Sequence, residues 1–199
     1  MKKSFIILLS VAALFGCTGK QQKQPGKNDY VMERFYDLEI LRYDVPEFEE
    51  LTLQQKTLIY YLNEAALQGR DILFDQNGKY NLCIRRTLES IYQNYPNKKD
   101  EQFLLMEKYL KRVWFSNGIH HHYNEDKFLP EFTRKWFYNA LECIPEQERA
   151  ELAGDINSPL LGDLKNLIPI MFEPNIMPKK TNQADGVDLI LTSANNYYE

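Results

Sequence analysis

The sequence predicts a mainly α-helical protein with few strands. One long segment carries apolar residues at helical spacing, which predicts an amphipathic helix with a buried stripe: Phe103, Met106, Leu110, Val113 and Trp114. Thr52 and Gln55 have the spacing of a capping box, which marks the start of another helix. Only residues 38–45 show the short alternation typical of a strand, so one isolated strand is predicted there.

The first half of the chain should contain three long helices. The helix after Thr52 should end at Gly69 and bury a stripe formed by Leu58, Ile59, Leu62, Ala65 and Ala66. A second helix is predicted from Asn81 to Tyr92, before the breaking run 94–97. The third should end at Gly118, where glycine and the preceding Asn117 both tolerate left-handed backbone.

The second half should add shorter helices. Residues 133–144 predict one rich in aromatics, Pro145 opens the next, with Gly154 beyond its end, and Ser158 with Pro159 forms another helix start. Residues 173–183 predict a loop, and residues 187–194 carry apolar periodicity of the helical kind. Four aromatic residues, two near the end of the third helix and two in the helix predicted over 133–144, should lie in the core or a cleft wall: Trp114, Phe115, Trp136 and Phe137.

The N-terminus predicts export and lipid anchoring. Lys2 and Lys3 precede an apolar run of about eleven residues, long enough for a signal peptide but too short to span a bilayer. Residues 14–17 look like a lipoprotein-processing box, which predicts a bacterial lipoprotein with residues 1–17 as signal peptide and Cys17 as the lipidated residue. An ordinary signal peptide is the alternative. Residues 18–29 are polar and predict a flexible tether, and residues 30–199 have the length of one domain.

Charge and cysteine content narrow the function classes. A net charge of −4 without a basic stripe argues against nucleic-acid binding. Cys83 and Cys143 lie in apolar helical contexts and are expected to be buried free thiols, although an exported protein can oxidise such a pair if the two come close. Arg70, Asp71, Asp75 and Asn77 predict either a local charge network or substrate contacts.

All three histidines lie in one run, His120 to His122, on a predicted loop. In an extended loop, His120 and His122 point one way and His121 points the other. The pair could share a metal, but two imidazoles with only Glu125 and Asp126 nearby do not complete a zinc site. A polar loop facing a cleft or solvent, or hydrogen bonds to a peptide, are the other interpretations.

A resemblance is carried by residues 109–123 and 126–130, which surround this run, with further matches at 41–46, 69–72, 75–77 and 193–199. These segments resemble the N-terminal part of bacterial dipeptidyl peptidase III, a family of zinc exopeptidases. The resemblance covers residues 30–199. It implies the helical N-terminal portion of a two-lobed α+β peptidase whose wide cleft separates a zinc-bearing upper lobe from a peptide-holding lower lobe.

The resemblance implies a role in substrate binding and not in catalysis. By its match to the family's cleft, it implies peptide contacts at Phe115, Ser116, Asn117 and Gly118, with His120, His122 and Tyr123 as neighbours. The family's zinc ligands and catalytic glutamate lie beyond the matched region, and the chain has no His-Glu dipeptide. We therefore expect an N-terminal fragment that has no cofactor of its own, while zinc belongs to the complete enzyme, and that is inactive alone.

Two alternatives stay open from the sequence. The chain is either the fragment just described, lipid-anchored in the bacterial cell envelope on the periplasmic side or at the outer membrane, or a lipid-anchored peptide-binding module without catalysis. A local metal-binding protein that uses the histidine run is the third interpretation. In the first two, a peptide and the membrane are the expected partners.

Overall fold

The computed structural model describes residues 30–154, 162–182 and 190–193. The predicted signal peptide and tether, Cys17, and the helix start at Ser158 and Pro159 lie outside these residues. The described chain is mainly helical with few strands, as predicted. It divides into two compact units between Phe48 and Glu49.

The first unit contains a β-hairpin. Strand β1 (Val31–Phe35) pairs antiparallel with β2 (Leu38–Leu41), and Phe35 lies opposite Leu38 in the register. Tyr36 turns the chain with a positive φ of 51°. The strand predicted over 38–45 is present in part, as β2, but its prediction as an isolated strand was wrong: an unpaired strand would leave its backbone groups without partners, and β1 supplies them.

The second unit is built from helices and a second small sheet. The helices are α1 (Leu53–Gln68), α2 (Arg70–Asn77), α3 (Asn81–Asn94), α4 (Glu101–Ser116), α5 (Arg134–Ala140), α6 (Glu146–Gly154) and α7 (Leu167–Phe172). Short 3₁₀ turns cover Phe48–Glu50, Leu141–Cys143 and Leu164–Asn166. Strands β3 (Lys179–Asn182) and β4 (Ile190–Ser193) pair antiparallel. Within the described residues, no helix has both the length and the apolar character needed to cross a bilayer.

The core of this unit lies between α3 and α4, with α5 and α7 packed around it. The predicted stripe on α4 is confirmed for its first four members, which are fully buried: Phe103, Met106, Leu110 and Val113. Trp114 was wrongly included, because it is 40% exposed and its indole Nε1–H donates to Glu89 Oε1 at 2.8 Å. Phe115 is also exposed, whereas Phe137 is buried and Trp136 half-buried.

The buried stripe predicted on α1 was wrong. The capping box at Thr52 and Gln55 and the stop at Gly69 are both present, but against the described part of the chain α1 buries none of its side chains. Leu58 and Leu62 are both 59% exposed. Apolar residues occupy more than one side of this helix, so periodicity predicted the helix but did not identify a face that is covered.

The C-terminal segments also differ from prediction. Part of the predicted loop 173–183 forms β3, and part of the helical periodicity 187–194 forms β4. A short apolar run fits a strand as well as a helix, and pairing decides between them. The predicted helix 133–144 ends at Ala140 and continues as a 3₁₀ turn. Both described cysteines are free thiols; Cys83 is buried as predicted, while Cys143 is half-buried.

Candidate functional site

The predicted substrate-binding residues gather at one small polar cavity of about 110 Å³. The cavity lies where α2 and α4 end, α3 begins and β3 starts. It is lined by Asn77, Asn81, Ser116, Asn117, Gly118, His120, His122 and Lys179. A larger, open depression of about 350 Å³ between α6 and residues 162–165 contains none of the predicted site residues.

The end of α4 places Ser116, Asn117 and Gly118 at the cavity. Asn117 adopts left-handed backbone with φ 52°, and its N–H and that of Gly118 both donate to the Val113 carbonyl. Gly118 follows with φ 153°. The sharp turn expected at this pair is therefore present, with Asn117 as the residue that caps the helix.

Asn81 fixes the loop that leaves this turn, and the sequence did not point to it. The side chain is only 2% exposed, and its Oδ1 accepts from the Ile119 N–H at 3.3 Å. A Cβ on Gly118 would lie 2.3 Å from Asn81 Nδ2, and one on Gly78 would lie 2.7 Å from the same atom. Both glycines therefore leave room for the buried amide. Asn81 is the first residue of α3, where a polar residue usually indicates a surface position. Nothing in the neighbouring sequence therefore indicates that this side chain is buried.

Residues 119–128, here called the histidine loop, form a short antiparallel turn. His120 forms a β-bridge with Lys127, and the backbone N–H groups of His121 and Phe128 donate across the turn to Asp126 and Ile119. His120 and His122 both line the cavity, as predicted for this pair, and His121 does not; the full alternation is not observed, because the rings of His121 and His122 lie side by side. The His121 ring stacks on His122, with ring centroids 4.5 Å apart.

His120 is a buried neutral imidazole. Its Nε2 lies 2.9 Å from the Met177 carbonyl oxygen, so Nε2 carries the proton and donates it. The pKa of His120 is lowered from 6.5 to about 4: burial is the largest cause, the nearby Lys127 and Lys179 act in the same direction, and the bond to Met177 opposes them. The remaining nitrogen, Nδ1, is buried and has no hydrogen-bond partner in the part of the chain that the structure describes.

Two lysines hold the histidine loop against the segment that leads into β3. Lys127 Nζ donates to the carbonyls of Glu173 and Ile176 at 2.7 and 2.5 Å, and burial lowers its pKa to about 8. Lys179 Nζ donates to the His121 carbonyl at 2.7 Å. Burial also lowers the pKa of Lys179, and Glu125 opposes the shift. The loop is therefore tied by charge-assisted bonds to residues about fifty positions away in the sequence.

Two of the predicted contacts lie beside the cavity instead of lining it. Phe115 is 41% exposed and meets the His122 ring edge-on, with centroids 5.2 Å apart. Tyr123 is 83% exposed, and its ring centroid lies 4.2 Å from that of His122. Both aromatic rings thus flank a histidine of the cavity wall from the solvent side.

The polar residues predicted to act together in residues 70–77 have two separate roles. Asn77 lines the cavity, and its amide Nδ2 donates to the Asn117 carbonyl at 3.4 Å. Asp71 instead joins the predicted local network, where it pairs with Arg85 at 2.7 Å and Arg86 at 2.9 Å. Burial opposes ionisation of Asp71, but the hydrogen bonds from both arginines outweigh it and lower the pKa.

The histidine run does not assemble a metal site with the residues that the structure describes. Across these ranges, no group of three or more His, Cys, Asp or Glu side chains is arranged to hold an ion. Nε2 of His120 is also taken by Met177. A catalytic zinc needs about three protein ligands and an open position, so the donor set around this cavity does not fit one.

Comparison with known proteins gives no family. No family model matches the chain. No curated protein matches it either.

Proposed function

We propose that this chain forms part of the peptide-binding cleft of a zinc dipeptidyl peptidase of the dipeptidyl peptidase III type and is inactive alone. One observation carries the proposal: of the seven residues assigned to substrate by resemblance, five line the same cavity, namely Ser116, Asn117, Gly118, His120 and His122. Their convergence supports a binding role for the cavity.

The chemistry of the cavity suits a polar peptide group. Amide, hydroxyl and ammonium donors line it from several elements, and the neutral imidazole of His120 can accept a bond. The exposed rings of Phe115 and Tyr123 offer apolar contact at its rim. In this proposal the cavity holds and orients a peptide, while the zinc ligands and the catalytic glutamate are supplied by another portion of the enzyme.

The exposed helix α1 supports the same proposal. It carries several large apolar side chains with exposures between 43% and 81%: Leu53, Leu58, Ile59, Tyr60, Tyr61, Leu62 and Leu67. Apolar surfaces of this kind usually mark an interaction site. A further portion of the peptidase would cover them, whereas a stand-alone peptide-binding module would leave α1 exposed to water.

Peptide binding by the full 199-residue chain tests the cavity. Calorimetry with tetra-alanine should detect binding, and Asn117→Gly should weaken it about fivefold, because glycine keeps the left-handed cap but removes the amide. Asn139→Ala, on the exposed side of α5, should bind like the original chain. The same preparation with added zinc should release no dipeptide. Absence of binding at millimolar peptide, or zinc-dependent release that a chelator abolishes, would overturn the proposal.

We also propose that the chain is a lipoprotein of the bacterial cell envelope anchored through Cys17. The support is the N-terminal sequence pattern alone. Labelled palmitate should enter the chain in cells and should not enter a Cys17→Ser variant. Equal labelling of the two would refute the anchor.

A further inference from the structure

We infer that the cavity at the end of α4 is a carboxylate site, which takes a carboxylate group of the bound peptide. This inference rests on the proposed peptide-binding function and adds a substrate class to it. None of the described lining residues carries a carboxylate, and one of them, Lys179, carries an ammonium group. The charge of the wall therefore favours an anionic ligand over a cationic one.

Buried hydrogen-bond donors are already oriented around the cavity. Because Oδ1 of Asn81 accepts from the Ile119 backbone, the other end of this buried amide is a donor held in one orientation. Lys179 uses one N–H on the His121 carbonyl and has two more. The Ser116 hydroxyl is a third lining donor. A carboxylate has about four lone-pair positions, which is enough to accept from all three groups.

The buried His120 supplies an independent sign of a ligand. It lines the cavity, it is 5% exposed, and its Nδ1 has no partner among the described residues. Buried polar atoms in folded proteins normally have partners, so a bound group is the natural candidate here. A neutral Nδ1 accepts, and an arriving carboxylate would stabilise the protonated ring against the repulsion of Lys127 and Lys179. Binding should therefore be accompanied by uptake of a proton.

The size of the cavity limits the ligand. A volume of about 110 Å³ equals three to four times the roughly 30 Å³ that one water occupies in the liquid. This space is large enough for a carboxylate on a short stem. The group could come from an aspartate side chain or from the C-terminus of a short peptide, and both present the same chemistry.

Matched peptides separate these sources. Calorimetry with the full chain would compare Ala-Asp-Ala-Ala-amide with its neutral analogue Ala-Asn-Ala-Ala-amide, and free tetra-alanine with tetra-alanine amide. At least one carboxylate peptide should bind ten times more tightly than its neutral partner. Lys179→Gln should remove most of this preference, whereas Lys135→Gln, on the exposed side of α5, should keep it.

Proton uptake gives a second readout. Binding enthalpies measured in buffers of different ionisation enthalpy should report uptake of up to one proton near pH 7, and His120→Gln should abolish it. Equal affinity for charged and neutral peptides would overturn the carboxylate site and leave the proposed peptide binding intact. If no peptide binds, the proposed function fails, and acetate alone becomes the probe of the carboxylate site. Acetate should then shift the NMR signals of His120 in the original chain and should not shift them in Lys179→Gln. Absence of any acetate-induced shift in the original chain would refute the site.

Discussion

Replacing the buried His120 should make the protein less sensitive to acid. The change is His120→Gln, which removes the titrating ring but keeps an amide N–H that can donate to the Met177 carbonyl. In the original chain, the imidazole is held neutral by burial, with its pKa lowered from 6.5 to about 4. The unfolded chain has no such constraint, so its histidine takes up a proton at a higher pH.

The magnitude follows from the two pKa values. The two pKa values differ by about 2.5, and one pH unit corresponds to about 1.4 kcal/mol, which gives about 3.5 kcal/mol in all, of which about 3 kcal/mol is reached by pH 4. Because the folded pKa is lowered, the unfolded state binds the proton first as the pH falls. The loss of stability therefore begins near pH 6.5, grows to about pH 4 and then levels off, because below that pH both states are protonated.

Denaturant unfolding between pH 7.5 and 4 measures this effect. The difference in unfolding free energy between the original chain and His120→Gln should shift by about 3 kcal/mol over that range in favour of the variant. Other titrating groups contribute equally to both proteins and cancel. Thr52→Ala, which removes the α1 cap, should lower stability by about 1 kcal/mol at every pH and keep the original slope. Parallel curves for the original chain and His120→Gln would show that His120 is not held neutral.

Three further substitutions are tested by denaturant unfolding, one at the cavity, one at the base of the histidine loop and one in the charge network of Asp71. Gly118→Ala should lower the unfolding free energy by about 2 kcal/mol or more, since the φ of Gly118 is 153° and a Cβ would meet the buried amide of Asn81. Gly154 has open space around it, so Gly154→Ala should be neutral or slightly stabilising. Equal effects of the two substitutions would refute the close contact between Gly118 and Asn81. Lys127→Met should cost about 2 kcal/mol by removing two charge-assisted bonds, and it should raise proteolysis of the histidine loop; unchanged stability and protease resistance would contradict this. Asp71→Asn should cost about 1–3 kcal/mol, because it leaves the buried Arg85 short of its nearest anion, and a change below 0.5 kcal/mol would mean that Glu89 suffices.

Sequence patterns predicted the helices more accurately than they predicted which helix faces are buried. The helices α3 and α4 could be predicted because apolar spacing, a polar start and a turn-forming end agree in each of them. The same rules predicted α1 correctly as a helix and incorrectly as a buried one. Leu58 and Leu62 have the right spacing for burial, but spacing does not say whether another surface lies opposite them. Burial is a property of the partner as well as of the helix.

The strands show the complementary failure. Residues 190–193 carry apolar character that a helix or a strand can use, and β3 consists of polar residues inside the predicted loop 173–183. Neither segment shows its structure in isolation, because a strand this short is stable only when its backbone is paired. The hairpin at β1 repeats the lesson, since only one of its two strands alternates clearly in the sequence.

Some residues of the cavity could be predicted from the sequence, and others are brought to it only by the fold. The residues contributed by the end of α4 and by the histidine loop are contiguous in the chain, so one segment was enough to identify them. Asn81 and Lys179 lie far from that segment in sequence, and only the fold brings them there. These two residues provide the fixed amide and the ammonium group, which together decide what the cavity can bind. The chemistry of the site is therefore set mainly by the residues that sequence inspection could not assign, which is why charge-matched peptides test it more sharply than substitution of the histidines alone.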